Sequence, residues 1–235
     1  MDSDDFFLTS NIFYRKNKLY YLKEPNKIIK ISNLNWEYYL EEYGWININL
    51  EFKEDTILTK FGILDCGGHG DCLFLCVLEA LKENGFIDID VNDIRLKVSN
   101  QVTNNNFEII LDNYKTEKDS EDFEGNWDPF KIKNVDELRK EIQKPGENFM
   151  GDHIIIQLLE KELNINIVII NTNSYNLENN KFKVINTGTK IEKNRDTIFL
   201  SYCYNFHYQL IGYFNKNKMI TKFKFNEIPN ELIHR

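Results

Sequence analysis

One stretch limits what this chain can fold into more than any other: residues 72–84, CLFLCVLEALKEN, entered through GGHG at 67–70 and followed by Gly85. As an α-helix it is apolar nearly all round. Across 73–82, Leu73, Phe74, Leu75, Cys76, Val77, Leu78, Ala80 and Leu81 leave only Glu79 and Lys82 as interruptions. A helix without a polar face must be covered on every side. The expectation is a buried helix from Cys72 to Asn84, with Gly85 as its C-terminal stop. The material to cover it follows in the chain. Periodicity gives helices over 92–104, 106–115 and 153–163. Asn134, with Glu137 three residues on, resembles a capping box for a helix that stops before Pro145. Strand-like runs come later, as NINIVIIN, KFKVINT, TIFLSYCY and HYQLIGYF. Helices first and strands after favour an α+β fold over strict alternation.

At 235 residues, 42% of them hydrophobic, the chain can build one sizeable core with an extension. Residues 1–57 carry short strand-like segments, NKIIKISNL and WININLEF, and no motif. Residues 58–214 hold the main domain, and 215–235 form a polar tail. The formal charge of −8 argues against a nucleic-acid partner, which calls for a basic stripe. No apolar run reaches the roughly 20 residues that span a bilayer. The start, MDSDDFF, has no secretory pattern. Cysteines at 66, 72, 76 and 203 are not spaced as a disulfide framework, so a reducing, intracellular setting is expected.

Three readings compete for the cysteine-rich stretch. Cys66, His69, Cys72 and Cys76 have short, ligand-like spacings, but they lack the two separated pairs of common zinc sites. Cys76 and Cys203 sit inside apolar runs and read as core. Cys72 stands where a glycine-rich loop meets a helix N-terminus. There the helix dipole and free amides favour a thiolate, and Gly68, His69, Gly70 and Asp71 offer amides for an oxyanion. A thiol nucleophile needs a base. His234 is next to the end, His153 reads as surface, and His69 is too close in sequence to face the sulfur. His207 opens a strand at the tip of a hairpin. Gln209 points the same way two residues on and could orient the imidazole. Asp71 and Asn205 are lesser candidates for that orienting role.

At these residues the chain resembles the ovarian tumour (OTU) family of deubiquitinating cysteine proteases. The nucleophile block is His69-Gly70-Asp71-Cys72-Leu73-Phe74, with His69 where the family commonly has Asp. The second block is His207-Tyr208-Gln209-Leu210-Ile211. Between them NFMGDHIIIQLLEKELNINIVII (148–170) looks like a family loop, helix and strand, with Met150 in place of Trp. The resemblance implies a papain-like α+β fold, a central β-sheet packed between helices, with the nucleophile at the N-terminus of a buried helix. It implies Cys72 as nucleophile, His207 as general base and then acid, and a substrate-binding loop at Met150, Gly151 and Asp152. It implies hydrolysis of an isopeptide bond at the C-terminal glycine of ubiquitin or a ubiquitin-like modifier, with no metal or cofactor. Gln209 stands where the family commonly has Asp or Asn, and the altered positions 69 and 209 motivate an alternative, an inactive module that binds ubiquitin chains. The acidic stretch 117–128 reads as a solvated loop or as a contact for ubiquitin. The tail looks similar to tails of OTU-like proteins of large DNA viruses, which would put the protein in the host-cell cytoplasm.

Overall fold

The computed structural model describes residues 6–7, 12–16, 18–24, 27–32, 35–48, 60–82, 89–123, 125–176, 181–186, 191–203, 207–215 and 218–232. Strands β1 (Phe6–Phe7), β2 (Ile12–Arg15), β3 (Lys18–Glu24) and β4 (Lys27–Lys30) pair antiparallel in that order as a small sheet. Helix α1 (Trp36–Leu40) and a 3-10 turn lead into β5 (Trp45–Asn47) and then β6 (Phe61–Leu64). The helices follow: α2 (Cys72–Leu81), α3 (Val91–Ser99), α4 (Phe107–Asp119), α5 (Val135–Ile142) and α6 (His153–Leu163). Strands return as β7 (Ile165–Asn176), β8 (Lys181–Asn186), β9 (Asp196–Cys203), β10 (His207–Asn215), β11 (Lys218–Ile220) and β12 (Lys222–Phe223). They form a sheet in the order β5-β6-β10-β9-β7-β8, with β11 beside β10 and β12 beside β9. β7 and β9 run parallel and the other described pairs antiparallel. The class is α+β, as the order of elements in the sequence implies.

The all-apolar helix is enclosed as its composition requires. α2 lies against β10 and β9 on one side and α3 on the other. Leu73, Phe74, Cys76, Val77 and Ala80 are fully buried. Leu64, Ile167, Ile169, Leu200, Tyr208 and Leu210 supply the sheet side of this core. α2 ends at Leu81, three residues before Asn84, because the Lys82 amide turns back to both Leu78 O and Glu79 O. Gly85, its expected stop, lies outside the described residues.

Other boundaries move for local reasons. α3 stops at Ser99, short of 104, where Gln101 and Val102 amides close turns onto Val98 and Ser99. α4 runs on to Asp119, so the acidic stretch begins inside a helix. Asn134 Oδ1 caps α5 by accepting from the Glu137 amide, but the Glu137 carboxylate reaches back to the Lys133 amide, not to that of Asn134. A complete reciprocal box occurs at Asp90 and Asp93.

The opposite sheet face, with Phe61, Val168, Ile170, Phe199 and Ile211, is covered by Phe223, Ile228 and Leu232. The stretch after 215 therefore contributes two strands and buried side chains. The N-terminal part joins the same core. Gly62 and Gly212 face each other across β6 and β10. The notch they leave takes Trp45, Trp36 and Met219, and Trp36 stacks on Phe214 with ring centroids 5.7 Å apart.

Candidate active site

The site is built on the seven residues between β6 and α2. Leu64, the last residue of β6, pairs with Leu210 of β10. Asp65 follows immediately. Its Oδ1 accepts the Gly67 amide at 3.0 Å and lies 3.2 Å from Nε2 of His207, the first residue of β10. Gly67 takes φ +121°, which lets the turn close beneath that carboxylate. His69 and Gly70 also have positive φ, at +59° and +87°. At Gly70 a Cβ would stand 2.3 Å from the carbonyl carbon of Gly146, so the two backbones touch. Among the described residues nothing lies within 4 Å of the Cβ position at Gly68.

The far end of the loop is fixed by a second carboxylate. Asp71 occupies the N-cap position of α2 without making a side-chain cap bond. It instead receives Arg95 Nη2 at 2.6 Å and the Gly146 amide at 3.1 Å. The orienting role toward His207 considered for Asp71 is therefore ruled out, since its oxygens are engaged elsewhere.

Cys72 begins α2 and is 6% exposed. Its sulfur meets the amides of Tyr208, Leu73 and Cys72 itself, which favour a thiolate, but burial outweighs them and pushes the thiol up. The nearby Asp65 charge pushes the same way. The lowered thiol expected from the helix terminus alone is thus corrected: desolvation wins. The contact with Tyr208 sets Cys72 beside the residue that follows His207.

The thiols of Cys66 and Cys76 meet each other, and each of the remaining cysteines also has an oxygen partner. Cys76 is buried, donates to Tyr208 O at 3.4 Å, and is raised well above the usual thiol range by burial. Cys66 donates to Leu64 O at 3.7 Å and Cys203 to Gln209 Oε1 at 3.7 Å. Among the described residues no group of three or more His, Cys, Asp or Glu is arranged to hold a metal. The zinc reading of Cys66, His69, Cys72 and Cys76 is set aside on this geometry.

The structure brings Cys72, His207 and Asp65 to one end of the β6–β10 pair. The orienting contact expected of Gln209 is made by Asp65, because the Gln209 amide faces Cys203 across the hairpin. Asn205 and His234 lie outside the described residues. His69 is exposed, and its carbonyl packs on Gly146. His153 is on the surface, 3.5 Å from Glu117. In the loop before α6, Met150 is half-buried, while Gly151 has no room for a Cβ, which would stand 2.5 Å from Leu73 Cδ2. Asp152 caps α6 by accepting the Ile154 and Ile155 amides, each at 2.9 Å, and burial raises its carboxyl. The segment after α4 is anchored by Phe123 and Trp127, which pack on Tyr114, and by Asn126, which donates to Glu147 O at 2.8 Å.

Asp65 and Arg95 escaped the sequence reading. The available signal for Asp65 was a carboxylate ending an apolar strand just ahead of the glycine turn. Arg95 was a lone cation on the inward face of a helix, two positions after Asp93.

No protein-family model matches the chain, and no curated protein matches it in sequence. Solved structures do resemble it. One is an OTU domain in complex with ubiquitin, 20% identical over 71% of this chain and 76% of that one, with a TM-score of 0.43. The OTUD1 OTU domain is 14% identical over 76% of this chain and 92% of its own, with a TM-score of 0.41. An OTU deubiquitinase from Wolbachia pipientis wMel is 15% identical over 65% of this chain and 88% of its own, with a TM-score of 0.40.

Proposed function

We propose that this chain is a cysteine-type deubiquitinase that hydrolyses isopeptide bonds at the C-terminal glycine of ubiquitin or a ubiquitin-like modifier. The observation that carries the reading is the 3.2 Å pair of Asp65 and His207, set beside a cysteine at the head of a buried helix. A core histidine has no need of a carboxylate on one nitrogen and a thiol close to the next residue. The resemblance of the two sequence blocks to OTU proteases supplies the substrate class.

In this reading Asp65 engages Nε2 of His207, which leaves Nδ1 to act on Cys72. His207 takes the Cys72 proton as the sulfur attacks the isopeptide carbonyl. The tetrahedral oxyanion is held by amides at the start of α2 and in the loop of Gly68, His69, Gly70 and Asp71. His207 then protonates the departing lysine amine. Water, deprotonated by His207, hydrolyses the thioester and frees the modifier's carboxylate. Asp65 stabilises the imidazolium in both halves. The four cysteines, none of them in a disulfide, suit a reducing compartment.

The test is reaction with ubiquitin bearing a C-terminal electrophile, read by intact-protein mass. One covalent adduct, lost in Cys72→Ala and retained in Cys66→Ala and Cys76→Ala, is the expected result. Full labelling of Cys72→Ala would overturn the assignment. The raised Cys72 thiol favours a second reading, an OTU-like module that binds ubiquitin chains without cutting them. Chain binding without turnover by the folded protein would select it.

A further inference from the structure

We propose that Arg95 is a positioning residue for this site: one buried guanidinium holds the loop in front of Cys72 and the segment that leads to Met150 at a fixed separation. The inference rests on the reading of Cys72 as nucleophile. Arg95 projects from α3 and is 0% exposed. Its Nε and Nη2 donate to Asp71 Oδ1 at 2.9 and 2.6 Å. Nη1 donates to Ile142 O at 3.0 Å, and Nη2 also to Phe149 O at 2.9 Å. The same group lies 4.1 Å from the ring centroid of Phe74, in the first turn of α2. One cation thus touches the residue before the nucleophile, the end of α5, and the loop before α6.

Filling this volume alone would be done at less desolvation cost by an apolar side chain. A planar fork adds direction, because each N–H fixes the line along which its acceptor must lie. That direction is passed on. Asp71 Oδ2 holds the Gly146 amide, and Gly70 rests directly on Gly146 with no space for a Cβ. A shift of Asp71 therefore moves Gly70 and the loop amides just before α2, which in the proposed reading hold the oxyanion. Cys72 itself is held by α2 and Tyr208, so its thiol should be little affected.

Arg95→Lys keeps the charge and removes the fork. Hydrogen exchange of the peptides covering 66–73 and 143–150 is expected to quicken in both together. With ubiquitin carrying a fluorogenic C-terminal amide, kcat should fall about 100-fold with KM changed less than about threefold, the pattern of lost geometry in the transition state. Alkylation of Cys72 by iodoacetamide should stay within about threefold, since the thiol's own surroundings remain. A folded Arg95→Lys protein with unchanged exchange in either segment, or with kcat within about twofold of the parent, would overturn the proposal. If Arg95→Lys does not fold, Asp71→Asn carries the same comparisons, because it keeps an acceptor and loses the charge. If the parent protein shows no turnover, the deubiquitinase reading fails, and coupled exchange in the two segments still decides whether Arg95 holds them.

Discussion

Asp65 makes the contact to His207 that strand periodicity assigns to Gln209. Both lie at the same end of the β6–β10 pair, but the carboxylate is on the imidazole and the amide is on Cys203. A carboxylate stabilises an imidazolium, and a neutral amide only orients it. Asp65→Asn should therefore lower kcat/KM for ubiquitin C-terminal amides by about 100-fold or more, far beyond the effect of Gln209→Ala. A larger loss in Gln209→Ala would reverse the assignment. Cys72 offers a pH test. Burial raises its thiol, so the thiolate is scarce at neutral pH and grows as pH rises. The rate of iodoacetamide alkylation at Cys72 should still be climbing above about pH 8.5, where an ordinary thiol is half ionised. A plateau below that pH would mean an ion pair with His207 prevails. Cys72 and His207 were legible as candidates because each carries its signal in neighbouring residues. Asp65 was not, because its partner is supplied by strand register over a long sequence separation.

At the scale of elements, helix starts were easier to read than helix ends. α6 begins and ends as its apolar spacing implies, because Asp152 declares its N-terminus and the run is unbroken. α2 and α3 stop early, at bonds between backbone amides and carbonyls that leave no mark in side-chain chemistry. The resemblance places Asp152 in a substrate-binding loop, and in the structure its side chain caps α6. Asp152→Ala should cost about 1 kcal/mol of unfolding free energy, measured in urea at neutral pH. Asp152→Asn should cost less, since it keeps an acceptor for Ile154 and Ile155 and does not bury a charge. Equal losses in the two variants would count against the capping role.

At the scale of the whole molecule, the stretch after residue 215 behaves as part of the core. Its polar composition read as a tail because Phe223, Ile228 and Leu232 are spaced too irregularly for a helix or strand pattern. Each is nonetheless buried against the second sheet face. Burying such a side chain contributes about 1.5–3 kcal/mol, and typical domains hold only about 5–15 in total. Removing residues 216–235 should abolish the cooperative unfolding transition, as read by circular dichroism on heating. A truncated protein that melts within a few degrees of the parent would show the segment to be dispensable. The glycine pair at 62 and 212 makes a related point. Its value comes from tryptophans at 36 and 45, and nothing in the strand sequences announces them.

The loop from Asp65 to Asp71 has one further consequence. Its first carboxylate is fastened to a strand and its last to a helix, so seven residues stitch the sheet to the helical layer. The surroundings of Cys72 exist only while those two layers are docked. A state in which the sheet persists but the helices have come loose would keep much of its secondary structure and none of this site. Loss of reactivity toward a ubiquitin electrophile should then track separation of the layers, making the site a gauge of the molecule's own cohesion.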